Sequence, residues 1–252
     1  MLSVLESLPD ISAGALVLIA LAAFGTACFH ALGGFGGVLM LSICVAPILG
    51  VKTTIPVVAV AGMISNVTRA TLFRRHIKFD AAIPVLLTAI PGIILGAWLY
   101  SRMPSQIVAA VLGVFLLASV PIRRNFAKRE IVVGKAGLSG AGAVFGLAGG
   151  FVVGAGLILA PFLLGAGLIG EAMVGTVAII GFTLNFTKTA VFGSTEVLTP
   201  PLILLGFTMG LVSIPGVWCG RWLLGNTSIR LHTLLVESLI LAGGCYFIWQ
   251  AL

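Results

Sequence analysis

Long apolar runs separated by short polar turns dominate the chain. They fall at 11–32, 38–50, 54–73, 81–100 and 105–122, then at 136–148, 150–168, 171–192, 199–220 and 231–252. None alternates with period two, as a lipid-facing strand would, so the runs predict helices. Crossing the hydrocarbon layer takes about 20 helical residues. Most runs reach that length, but 38–50 and 136–148 fall short, and each meets its longer neighbour at a glycine cluster. These two are expected to be tilted short spans or arms of re-entrant hairpins. Lipid admits only helices and closed barrels, so the predicted fold is an all-α polytopic membrane bundle.

Composition sharpens this picture. Charged residues are 8% of the 252 and hydrophobic residues 60%, whereas a soluble domain carries about 25% charged residues. Residues 1–10 hold Glu6 and Asp10 but no Lys or Arg. Without a basic n-region, the first run is expected to stay as a membrane helix. Cys28, Cys44, Cys219 and Cys245 lie in apolar runs without a CxxC pair and are read as small hydrophobes, neither disulfides nor metal ligands.

The net charge of +7 is mainly a topological label. Arg74, Arg75 and Lys78 share one loop, Arg123, Arg124, Lys128, Arg129 and Lys135 another, and Arg221 and Arg230 flank a third. With Arg69, 11 of the 14 basic residues map to one side, which the positive-inside rule makes cytoplasmic. The acidic N-terminus is then external, and the C-terminus likewise non-cytoplasmic. Segment 11–50 must leave and return to one face, either as two spans or as a re-entrant hairpin. The same holds after Lys135. Each half counts as five passes, and the halves are expected to be inverted.

Internal matches support a duplication. Pro91-Gly92 with Gly96, Trp98 and Leu99 matches Pro215-Gly216 with Gly220, Trp222 and Leu223. Asn66, Thr68, Arg69 and Phe73 match Asn185, Thr187, Lys188 and Phe192, and Ala46-Pro47 matches Ala160-Pro161. Three matches in the same order divide the chain into a first repeat at 1–122, a basic linker at 123–135 and a second repeat at 136–252. Inverted repeats with interrupted helices are the pattern of secondary transporters, whose substrates bind near the midplane.

The candidate site follows from the breaks. Gly33, Gly34, Gly36 and Gly37 surround Phe35, and Gly149-Gly150 precedes Phe151 in the second half. A short helix starting after Gly37 or Gly150 would present free N–H groups and a positive dipole end to an anion. Close packing through glycine is the competing reading. Asn66, Thr68, Asn185 and Thr187 are either ligand donors or hydrogen bonds between helices. Arg69 and Lys188 either point inward as ligand charges or snorkel to the nearer face. His30, beside the first break, is a proton-relay candidate or a structural histidine. Glu237 is expected to pair with Arg230, His232 or another helix. His76 and His232 are given no specific role.

Other chemistry lacks its residues. There is no GxxxxGK[ST] and no HExxH, no Ser–His pair stands out, and the three histidines are scattered. The chain is expected not to be an enzyme and to need no cofactor or metal. Few acids lie in the apolar runs, which favours an anionic or neutral substrate over a cation. The expected partners are a small anion and the lipid bilayer, with a homo-oligomer allowed and nucleic acid excluded.

The glycine-rich break before Pro47, its echo before Pro161, the Asn66 and Asn185 helices and the paired PGxxxGxWL-like segments resemble the sulfite exporter TauE/SafE family. The resemblance runs from about Ser12 to Leu252. It implies an inner-membrane permease that exports sulfite or an organosulfonate such as sulfoacetate by alternating access. A channel-like pore, or an uptake permease for another small sulfur compound, is the alternative. Phe35 interrupts a glycine run that is often straighter in the family, so the two half-sites are expected to differ.

Overall fold

In the computed structural model, described for residues 11–33, 37–127, 132–152, 154–223 and 229–252, the chain forms ten α-helices among the described residues. They are α1 (Ala13–Gly33), α2 (Gly37–Leu49), α3 (Val51–Leu72), α4 (Phe79–Arg102) and α5 (Ser105–Ala127). The second half has α6 (Lys135–Phe151), α7 (Gly156–Gly165), α8 (Gly170–Ser194), α9 (Pro200–Leu223) and α10 (Ile229–Ala251). A 3₁₀ turn, Arg74–His76, joins α3 to α4. Among the described residues, α3, α4 and α8, residues Ser105–Ile122 of α5 and residues Pro200–Gly220 of α9 are long and apolar enough to cross a membrane. Apolar side chains such as Leu21, Leu87, Phe186 and Trp249 are exposed. In water that would be costly, whereas lipid tails accept them.

One expectation needs correcting. The sequence marks 136–148 as the short run and 150–168 as a span, but α6 continues to Phe151 and α7 has only 10 residues. Gly149 and Gly150 sit in the last turns of α6, and the break follows at 152–155, around Gly154 with φ +84°. At about 1.5 Å per residue, α7 is about 15 Å long, half of a hydrocarbon layer of about 30 Å. Its end is closed by a glycine cap. Gly167 takes φ +84°, its N–H donates to the Leu164 carbonyl, and the Leu168 N–H donates to Leu163. The Val133 N–H donates to the Gly165 carbonyl at 2.9 Å. The chain therefore enters α6 and leaves α7 at the same end, as a helical hairpin.

Helix partners are exchanged between the halves. α4 packs most extensively on α6, and α1 on α9; α3 lies against α8, and α5 against α10. Glycines permit the first two contacts. A β-carbon at Gly96 would stand 2.6 Å from the Leu147 carbonyl oxygen, and one at Gly216 would stand 2.5 Å from that of Phe24. Gly92, Gly96 and Gly216 of the paired PG segments thus have a packing role. The α5–α10 contact carries an ion pair, with Arg124 Nη2 2.5 Å from Glu237 Oε2. The hydrogen bond first, and then the negative charge, raise the arginine pKa above its ordinary value. Glu237 thus pairs with another helix.

Candidate functional site

The centre of the bundle is where α3 crosses α8. Phe73 lies against Gly175, Asn66 against Gly181, and Gly62 against Asn185. Residue numbers rise on one helix as they fall on the other, so the two helices run antiparallel. A β-carbon at Gly62 would come within 2.6 Å of Asn185 Nδ2, and one at Gly181 within 2.8 Å of Asn66 Nδ2. Each carboxamide therefore lies on a glycine of the opposite helix. Both asparagines are buried although they belong to long apolar helices. Burying an amide in lipid is costly unless its donors and acceptors are satisfied.

A cavity of about 90 Å³ opens beside this crossing, lined by Asn66, Asn185 and Lys188 and by the Gly154–Gly156 corner at the start of α7. A water molecule needs about 10–15 Å³ by the same measure, so the space holds a small oxyanion or several waters. Among the described residues that line it there is no Asp or Glu. Lys188 is only 5% exposed, and among the described residues its ammonium has no hydrogen-bond or ion-pair partner. A buried cation facing such a space is stabilised most by an anion.

The α6–α7 break adds donors. Ala155, which precedes α7, is already helical and offers no side-chain cap. The Ile158 N–H donates to the Ala155 carbonyl at 2.8 Å, a tight first turn. The leading amides of a helix lack intrahelical acceptors, and its positive dipole end favours negative charge. Gly154, with positive φ and packed on the Leu39 side chain, sets this corner where a larger residue would be strained and crowded.

The residues expected at the site divide clearly. Asn66, Asn185, Lys188 and Gly149 line the cavity. Arg69 does not line it; it is fully buried on α3, with Nη1 donating to Asn66 Oδ1 at 3.4 Å. Thr68 and Thr187 do not line it either, and their hydroxyls donate to the Ile64 and Thr183 carbonyls of their own helices. Gly150 packs on α4, where a β-carbon would stand 2.5 Å from Gly96 Cα. Gly37 is buried at the start of α2, and Gly33 ends α1. Gly34 and Gly36 lie outside the described residues, as do the side chains of His30, Arg230 and His232.

Sequence reasoning missed Gly62 and Gly181, which seat the two carboxamides. A signal was available: Gly62-x-x-x-Asn66 recurs as Gly181-x-x-x-Asn185. One helical turn separates glycine and asparagine in each case, so both fall on the same helix face.

Residues 18–247 match a protein-family model described as Sulfite exporter TauE/SafE. No curated protein and no solved structure matches the chain.

Proposed function

The chain belongs to the TauE/SafE sulfite exporter family of membrane transporters, and from that premise we propose that it exports a small sulfur-containing anion, sulfite or an organosulfonate, by alternating access. The observation that carries this reading is Lys188, a buried cation facing a cavity shared with Asn66 and Asn185, whose described lining residues include no acid. Sulfite and sulfonates present several acceptor oxygens, which suit an ammonium, two carboxamides and free helix amides. The membrane potential supplies the direction. An interior negative by 100 mV favours exit of each negative charge by about 2.3 kcal/mol.

Two inverted repeats, 1–122 and 136–252 joined by the basic linker 123–135, are the proposed moving parts. Support comes from the reciprocal packing of α4 on α6 and α1 on α9, and from the antiparallel pairing of the two Asn motifs. The proposed placement is the cell inner membrane, with the Arg74–Arg75 turn cytoplasmic and both termini on the opposite side.

Counterflow in proteoliposomes tests the proposal. Saturable uptake of radiolabelled sulfite or sulfoacetate, stimulated by unlabelled anion on the trans side, supports a carrier. Flux that neither saturates nor responds to trans anion identifies a pore. Absence of flux for every sulfur oxyanion tested removes both readings.

A further inference from the structure

Arg69 is a buried cation that the cavity does not reach. The α3–α8 register explains its place. Carried along the antiparallel pair, that register sets Lys188 level with Ala59 and Arg69 level with Ala178, and both alanines are buried. Each cation thus sits level with a small residue on the opposite helix, where an alanine leaves more room than a larger side chain would. Side chains lean toward the N-terminus of their own helix. On antiparallel helices, Arg69 and Lys188 therefore lean toward each other from opposite ends. Arg69 does so visibly, reaching back to Asn66, three residues earlier.

Ten residues of α3 separate the level of Arg69 from that of Lys188, about 15 Å along the axis. The two carboxamides lie between. The arrangement is symmetric in residue type and asymmetric in exposure. Lys188 and both asparagines border the cavity, whereas Arg69 is 0% exposed and sealed from it. An anion held by the asparagines has one cation on each side along its path, and only one of them is accessible in this conformation.

Resting on the transport reading above, we propose that Arg69 is the second charge half-site. It meets the anion when the bundle opens toward the end carrying Arg74, Arg75 and Lys78, while Lys188 serves the opposite opening. Closing one side buries one cation as the other is uncovered. The ligand is an oxyanion small enough to pass between the two carboxamides.

The test is the sidedness of half-saturation, measured by sulfite counterflow in proteoliposomes of uniform orientation. Arg69→Met should raise the half-saturation concentration about tenfold or more for sulfite presented at the Arg74 face, and change it less than about twofold at the other face. Lys188→Met should give the reverse pattern. Arg69→Lys should recover most of the loss, since the charge remains. Equal shifts on both faces, no shift on either, or failure of Arg69→Lys to recover would overturn the assignment. Should Arg69→Met fail to give a monodisperse protein with a cooperative melt, Arg69→Gln, which also removes the charge, takes its place. A shift confined to the Arg74 face supports the assignment, and an even shift or none defeats it. Wild-type protein without saturable flux would defeat the transport reading itself. Saturable wild-type flux with face-independent Arg69 effects would leave that reading standing and remove only this one.

Discussion

The Asn185 carboxamide rests on Gly62 of the facing helix, so closely that a β-carbon there would lie 2.6 Å from the amide nitrogen. The atom in the way is the end of a side chain, not backbone. Gly62→Ala is therefore absorbed by moving the carboxamide, at little cost in stability and with a direct effect on the site. We expect Gly62→Ala to weaken sulfite binding about tenfold while the melting temperature in detergent falls by less than about 4 °C. Gly181→Ala should do the same through Asn66. Isothermal titration beside a thermal melt checks both, and a large loss of Tm with unchanged affinity would show the glycines to be mere packing.

Gly150 makes the opposite case. Its hypothetical β-carbon meets the Gly96 Cα at 2.5 Å and the Ala97 nitrogen at 2.7 Å, both backbone atoms. Neither can yield without parting α4 from α6. Overpacking of this kind costs about 1–3 kcal/mol or more. Gly150→Ala should lower Tm and the yield of monodisperse protein, with the folded fraction keeping its affinity for sulfite.

Lys188 separates binding from stability in the other direction. A buried ammonium costs several kcal/mol of desolvation, and replacing buried charge by an apolar residue of similar length is often neutral or stabilising. Lys188→Met should raise Tm or leave it unchanged in the absence of anion, and weaken sulfite binding about tenfold or more. The thermal shift produced by added sulfite should shrink accordingly. A protein that melts lower and still binds would assign the lysine a structural role.

These cases show what was legible beforehand. Helices were readable because twenty apolar residues in a row have few other fates. The Asn66 and Asn185 helices were readable because the motif occurs twice. The break in the second half was misplaced because Gly149-Gly150 looks like an interruption. Yet a glycine pair on one helix face also fits a neighbour's backbone, and Gly150 does so on Gly96. The interruption itself depends on one glycine, Gly154, and on its positive φ, which composition does not reveal. For Lys188 the choice between snorkelling and facing inward depends on the opposite helix. Ala59 at its level is a tertiary fact that the local pattern around Lys188 does not carry.

A re-entrant path of α6 and α7 would have a direct consequence for labelling. If the Val133–Gly165 hydrogen bond closes a hairpin, residues just before α6 and just after α7 share one face, and residues after α8 lie on the other. Val132, Ile169 and Glu196 are exposed and suit the purpose. In a background with the four native cysteines replaced, Val132→Cys and Ile169→Cys should react with a membrane-impermeant maleimide from the same side. Glu196→Cys should react from the opposite side. α8, at 25 residues, extends about 37 Å and crosses the layer fully, whereas α7 at about 15 Å does not. Labelling of Val132→Cys and Ile169→Cys from opposite sides would require α6 and α7 to cross as one interrupted span. The mid-depth corner at Gly154–Gly156 would then no longer be the tip of a hairpin, and the free amides of α7 would lose the position that lets them face an anion.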